Sequence, residues 1–331
     1  MIQTSFVTLS RVFSRAILPL FLLASGTTGA WAQEAELRIS TQRTPLYAPL
    51  YVAKNQGWLN EELAKSSPGT KAVINIFDAG APVNESFASG LADIGTLGDT
   101  PFTVGAAAGI ERRIIGKASD GPQTIAVITA YDSKIRTPAD LKGKKVAVPK
   151  ATYTEHLLAL VLERGGLTFK DIQYVNLLNS DVAPAIVAGD VDAGAVWEPF
   201  LTKFESAKSV RVLADGTGLK AGISGIVASP EALKTKRNAI KAFFRAYERG
   251  RAYILSNPVE AGKLIAKDVN LSPELTTQVL KKLDFKTALT PNDINEFRKT
   301  AEYIHKIGII RRQVNIDAIV DLSITQELGL K

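Results

Sequence analysis

One pattern in this chain occurs twice and constrains the fold more than any other feature. Gly90-x-x-Asp93-x-Gly95-x-x-x-Asp99 returns 99 residues later as Gly189-x-x-Asp192-x-Gly194-x-x-x-Glu198. Each copy follows a short apolar helical stretch and, before that, a β-rich run, VINIF in the first and QYVNL in the second. Each is followed by a proline, Pro101 or Pro199. The same elements in the same order predict two α/β lobes built on one plan, rather than one large domain with coincidental Gly-Asp turns. A length of 331 residues suits two cores, since a domain usually takes about 100–200 residues.

The remaining pattern agrees. Strand-like runs at Leu37–Ser40, Val73–Phe77, Asp93–Leu97, Ile114–Gly116, Ile125–Thr129 and Val146–Val148 are followed by others at Tyr174–Leu177, Ala193–Trp197, Val210–Leu213 and Ile226–Ala228. Helical stretches fall between many of them, the first (Tyr47–Leu63) broken near Gly57. From Ser229 onward the chain reads as helices started by Ser229-Pro230, Asn257-Pro258, Ser272-Pro273 and Thr290-Pro291. Strands alternating with helices predict an α/β protein with largely parallel sheets.

Hydrophobic residues at 46% and charged residues at 22% exclude a disordered chain and a polytopic membrane protein. The absence of cysteine excludes disulfides, thiolate metal sites, a catalytic Cys and a lipidated N-terminal Cys. Ahead of Glu34 there are basic residues, Arg11 and Arg15, an apolar run Ala16–Ala24, and Ala30-Trp31-Ala32. This is the grammar of a cleavable secretory signal over residues 1–32, and the run is far shorter than the ~20 residues a membrane anchor needs. The expected location is the periplasm. A net charge of +7 is too modest to argue for a nucleic-acid partner. The basic run Lys234–Arg251 has its aromatic residues on one helical face, so its cations read as a solvated surface or as a face for an acidic permease.

In open α/β sheets ligands collect beyond the carboxyl ends of the strands. Gly98-Asp99-Thr100-Pro101 puts a strand end and a fresh helix start there, with Thr100 as N-cap and Pro101 at the first helical position. Such a start favours an anion. Lys150-Ala151-Thr152-Tyr153-Thr154 offers hydroxyls and N–H groups in the same way. Only two histidines are present, His156 and His305, with no partner ligand near either in sequence, so no metal is expected. Phosphate-loop, zinc-protease and G-x-S-x-G motifs are missing, no cofactor fingerprint appears, and no case for catalysis arises.

The chain is similar to the solute-binding proteins of ABC importers in the nitrate/taurine/aliphatic-sulfonate group. The resemblance rests on Leu37-Arg-Ile-Ser-Thr-Gln42, Phe77-Asp-Ala-Gly80, Asp93-Ile-Gly-Thr-Leu-Gly-Asp-Thr-Pro101 and Thr137-Pro-Ala-Asp-Leu-Lys-Gly-Lys-Lys-Val-Ala-Val148. It continues through Gly189-Asp-Val-Asp-Ala-Gly-Ala-Val-Trp-Glu-Pro-Phe200 and Val212-Leu-Ala-Asp-Gly-Thr217. It implies a type II periplasmic-binding fold, two α/β lobes with two crossover hinge segments and a ligand cleft between them. By position the crossovers fall near Gly116–Gln123 and Gly218–Gly225. Residues 33–120 and 222–331 would then form the first lobe and residues 121–221 the second.

Carried onto this chain, the family's ligand contacts fall on Gln42, on Asp78, Ala79 and Gly80, and on Gly98, Asp99 and Thr100. They fall further on Thr152, Tyr153, Thr154, Glu155 and His156, and on Trp197 and Glu198, with Tyr47 as an addition. Plainer roles stand beside these: Trp197 as core, His156 as a buried helix residue, Asp99 as a loop tie. The resemblance implies capture of a small organic anion, an aliphatic sulfonate or taurine first, by a monomer that hands it to an inner-membrane permease with its cytoplasmic ATPase. Glu155 and Glu198 depart from the sulfonate pattern, and a carboxylate in the cleft would favour a ligand with an amine or a polar ring. Nitrate, a thiamine-precursor-like heterocycle, or an exported enzyme on the same fold are the alternatives.

Overall fold

The computed structural model describes residues 35–330, and the secretory segment expected over residues 1–32 lies outside the described residues. The chain opens with β1 (Ala35–Gln42), α1 (Ala48–Asn55) and α2 (Trp58–Ser66), then β2 (Thr70–Phe77), α3 (Gly80–Ala88), β3 (Ile94–Gly98), α4 (Asp99–Ala107) and β4 (Arg113–Ser119). The break between α1 and α2 is Gly57, at φ +74°, a left-handed conformation that glycine enters without a side-chain penalty. After β4 come β5 (Ile125–Ala130), β6 (Lys145–Val148), α5 (Tyr153–Arg164), β7 (Gln173–Asn176), α6 (Asn179–Ala188), β8 (Ala193–Trp197), α7 (Phe200–Ser206) and β9 (Val210–Asp215). Then follow β10 (Ser224–Ala228), α8 (Pro230–Thr235), α9 (Arg237–Ser256), α10 (Pro258–Val269), α11 (Pro273–Leu280), α12 (Pro291–Lys306) and α13 (Ser323–Glu327). Proline occupies the first turn of α8, α10, α11 and α12, where its missing N–H is no loss.

The strands form two five-stranded sheets, ordered β2-β1-β3-β10-β4 and β7-β6-β8-β5-β9. Four strands of each run in one direction, and the fifth, β10 or β5, runs antiparallel to both of its neighbours. The sheets are therefore mixed, with one strand of each reversed. Alternating strands and helices signal parallel pairing only where a helix links two strands of one sheet. β5 and β10 are instead reached from the other sheet through residues 120–124 and 216–223, so the pattern carries no information on their direction.

The repeated motif has the same physical cause in both copies. Gly90 and Gly189 follow their helices in the left-handed region, at φ +67° and +81°. Asp93 Oδ2 accepts the N–H of Arg38 at 2.8 Å, and Asp192 Oδ2 accepts that of Lys145 at 2.8 Å. The backbone N–H of each aspartate returns a bond to the carbonyl of the same partner, at 2.9 Å in both copies. Each aspartate thus clips the head of one strand to the next. Gly95 and Gly194 lie where a helix crosses the sheet. A Cβ on Gly95 would stand 2.6 Å from the Phe87 ring, and one on Gly194 would stand 2.8 Å from the Ala147 carbonyl oxygen.

The cations of α9 find acids within the chain. Arg237 and Lys241 meet Glu327, Arg249 meets Glu61 and Glu62, Arg251 meets Glu248, and Lys236, just ahead of the helix, meets Asp93. Phe243, Phe244 and Tyr247 are buried on the opposite side. The basic run is thus a packed helix whose charges are largely answered internally, and it offers little bare positive surface to an acidic partner.

Candidate functional site

A cavity of about 790 Å³ opens where the carboxyl ends of the two sheets meet, well within the ~300–1,000 Å³ usual for small-molecule sites. The first sheet and its helices supply Gln42 at the end of β1, the turn Asp78-Ala79-Gly80 between β2 and α3, and Pro101 and Val104 on α4. The second supplies Lys150–Tyr153 before and at the start of α5, Asn176–Asp181 around the start of α6, Trp197 at the end of β8, and Phe200 and Lys203 on α7. The α10–α11 turn closes one side with Val269, Asn270 and Leu271.

Three helices of eight or more residues, α3, α5 and α6, thus begin at the cavity wall. The residues that precede α3 and α6, Ala79 and Leu178, cap no N–H with a side chain, whereas Thr152 accepts the N–H of Glu155 at 3.3 Å. The uncapped starts of α3 and α6 and the converging helix dipoles make this a place for negative charge, while at α5 Glu155 also accepts the Ala151 N–H. Arg43, Lys150 and Lys203 add cations at the margin, with Arg43 3.3 Å from a largely solvated Asp78.

The floor is aromatic. The rings of Tyr153 and Trp197 lie 5.5 Å apart at 39°, and both are nearly buried. Asn179 holds the Trp197 backbone from both sides, accepting its N–H at 3.1 Å and donating to its carbonyl at 3.3 Å. Gly98 leaves room for Tyr153, since a Cβ there would stand 3.1 Å from the phenol ring. Burial pushes the Tyr153 phenol well above its ordinary value, so it stays protonated.

Of the residues singled out in the sequence, Gln42, Asp78, Ala79, Gly80, Thr152, Tyr153 and Trp197 line the cavity. The others lie outside its wall. Tyr47 is buried and accepts the Gln42 amide at 3.1 Å, so it supports Gln42 from behind. Thr100 is not the N-cap of α4: that position falls two residues earlier, on Gly98, and the helix starts at Asp99. Asp99 itself accepts the Thr100 N–H at 2.6 Å, and its other oxygen accepts from Lys220 and from Thr300 at 2.7 Å. The helix start expected to draw an anion is thus already answered by the chain's own carboxylate.

Thr154 is buried, its hydroxyl 3.0 Å from that of Thr152. Glu155 accepts the Ala151 N–H at 2.6 Å and the Tyr174 hydroxyl at 2.8 Å, which secures the loop into α5. His156 is stacked on Tyr303 of α12, with ring centres 4.3 Å apart at 14°. Burial, with the nearby Lys220 charge, pushes its pKa down to about 2, so it is neutral. Glu198 is wholly buried, accepting from Thr202 N–H at 3.0 Å, Thr202 Oγ1 at 2.7 Å and Lys282 at 2.9 Å. Neither glutamate is therefore presented to the cavity, and the amine preference inferred from them has no carboxylate to rest on.

Sequence reasoning missed the Asn176–Asp181 stretch, although the repeat pointed to it: β7 leads into α6 as β2 leads into α3, so this turn is the second-sheet counterpart of Asp78–Gly80. Arg43 adjoins the already identified Gln42, and Lys150 belongs to the stretch singled out before α5. Leu271 carried no local signal, because it reaches the cavity from a helix pair far along the chain.

Over residues 44–261 the chain matches the family described as NMT1/THI5 like. An Escherichia coli (strain K12) relative, provisionally named an aliphatic sulfonates-binding protein, is 28% identical over 311 residues, covering 92% of this chain and 94% of that one. Among solved structures, the alkanesulfonate-binding protein SsuA from Xanthomonas axonopodis pv. citri, bound to MOPS, superposes with a TM-score of 0.78 at 26% identity, covering 87% of this chain and 98% of that one. The periplasmic aliphatic sulphonate binding protein SsuA from Escherichia coli superposes at 0.77 with 27% identity, over 86% and 97%. The fold extends to the desulfurization enzyme DSZB, at 16% identity and a TM-score of 0.66 over 89% and 99%, so fold alone does not separate carrier from catalyst.

Proposed function

The chain belongs to the NMT1/THI5-like family, and from that premise we propose that it is the solute-binding component of an ABC importer, capturing a small organic sulfonate and delivering it to a membrane permease. The observation that carries this reading is the convergence of three helix starts on one cavity whose remaining walls are mostly apolar. Backbone N–H groups replace water around the anionic head, and apolar side chains cover the organic part. The similarity to aliphatic sulfonate-binding proteins, one of them periplasmic, supports the same ligand class and location.

A carrier also suits the side chains at the wall. The hydroxyls there belong to Thr152, Tyr153 and Ser180, while His156 lies outside it, so no hydroxyl is paired with an imidazole base. The protein works as a monomer whose two sheets, each with its helices, close on ligand about residues 120–124 and 216–223.

Thermal-shift and calorimetric titration of residues 33–331 with alkanesulfonates, taurine, nitrate and a pyrimidine test the reading. A sulfonate should raise the melting temperature and bind with one site per chain, and small-angle scattering should show a smaller radius with ligand. Stabilisation by nitrate or the pyrimidine alone, or consumption of a sulfonate on incubation, would overturn it.

A further inference from the structure

We infer that the cavity selects a sulfonate with a bulky aromatic tail and no amine, an arenesulfonate in preference to taurine or a short alkanesulfonate. This rests on the sulfonate reading above and narrows it. Three observations carry it together. The first is size: at about 790 Å³ the cavity is roomy enough for a drug-sized molecule, so a bulky tail fits within it.

The second is the wall. Beyond the helix starts the space is bounded by the Tyr153–Trp197 ring pair, by Phe200, and by Leu177 and Leu271. Flat rings pack against such a wall in offset or edge arrangements that a flexible chain cannot match. Trp197 is held in place through both of its backbone polar groups by Asn179, so the stacking surface is set before ligand arrives.

The third is the position of the acids. An ammonium taken out of water needs a desolvated carboxylate close by. The buried candidates, Glu155 and Glu198, face away from the cavity into bonds with Ala151, Tyr174, Thr202 and Lys282. The acids that do line it, Asp78 and Asp181, are exposed at its margin, the first beside Arg43 and the second accepting the Ser180 hydroxyl at 2.9 Å. A taurine ammonium would therefore lose its water without a buried counter-charge.

Calorimetric titration of residues 33–331 with naphthalene-2-sulfonate, ethanesulfonate and taurine tests this. Naphthalene-2-sulfonate should bind at least about ten-fold more tightly than ethanesulfonate, as the extra buried apolar area requires, and taurine should be the weakest of the three. Phe200→Ala, at a half-buried position, should reduce the naphthalene-to-ethane preference by about five-fold or more. Trp197→Ala should do the same, and the Phe200 variant carries the test should the Trp197 variant fail to fold. Equal affinity for naphthalene-2-sulfonate and ethanesulfonate, a taurine affinity above both, or an unchanged preference in Phe200→Ala would overturn the inference while leaving sulfonate capture intact. Failure of all three ligands to bind would remove the sulfonate reading itself, and the inference with it.

Discussion

The two copies of the Gly-Asp motif share their backbone bonds one for one, yet the aspartate of one is buried and that of the other is exposed. Asp93 and Asp192 accept and return equivalent backbone bonds, but Asp93 is only 3% exposed and also meets Arg38 and Lys236, whereas Asp192 is exposed. The cause lies more than a hundred residues further on. After β9 the chain returns to the first sheet, and the start of α9 comes down on the first copy, while Asp192 of the second stays exposed. Local sequence sets the geometry of such a turn. What covers it sets its energetic weight.

Several variants can break or sharpen that contrast. The largest effect is expected from Asp93→Ala, which leaves two half-buried cations and a strand N–H without their acceptor and should cost about 3 kcal/mol in urea unfolding. Asp192→Ala removes the same backbone bond in water and should cost about 1 kcal/mol. Equal losses would mean that coverage by α9 adds nothing. Next come the paired glycines. Gly194→Ala forces a methyl against Val182 and to 2.8 Å from the Ala147 carbonyl and should cost about 2 kcal/mol, more than Gly95→Ala, whose methyl meets the Phe87 ring at 2.6 Å and the Ser40 carbonyl only at 3.1 Å. A reversed order would show the first helix–sheet crossing to be the stiffer one.

A smaller effect is expected where the halves touch, at the His156–Tyr303 stack. With its folded pKa near 2 against an ordinary 6.5, His156 resists protonation only in the folded state. Its contribution is therefore present above about pH 6.5 and is lost as the pH falls, by up to ~1.4 kcal/mol per unit. His156→Phe keeps the stack and should flatten the decline in melting temperature between pH 7 and 5; an unchanged decline would place the sensitive group elsewhere. The smallest effect belongs to the exposed Arg43–Asp78 pair, where Asp78→Asn should change stability by about 0–1 kcal/mol.

The repeat was legible because each of its positions answers a local demand: a left-handed turn at Gly90 and Gly189, a backbone acceptor at Asp93 and Asp192, an absent Cβ at Gly95 and Gly194. Helix starts with Pro were legible for the same reason. The reversed direction of β5 and β10 was not, since periodicity is blind to which way a strand runs. The partners of the acids were not legible either. Asp99 and Glu198 lie at strand ends near the cavity, but each meets a lysine from a distant segment, Lys220 or Lys282, and no local pattern records that pairing. The roles of Gln42, Tyr153 and Trp197 at the cavity stand as proposals resting on their place in its wall.

The reversed strands also set a timetable. All five strands of the second sheet lie between residues 125 and 215, so that sheet can assemble from one continuous stretch of chain. The first sheet cannot. Between β3 and β4 there is a gap that only residues 224–228 fill, and more than a hundred residues must emerge before they exist. In vectorial synthesis the portion made first is therefore the portion completed last, and long-range closure of this kind is slow. A late-closing front end thus leaves the early part of the chain loose until its last strand arrives.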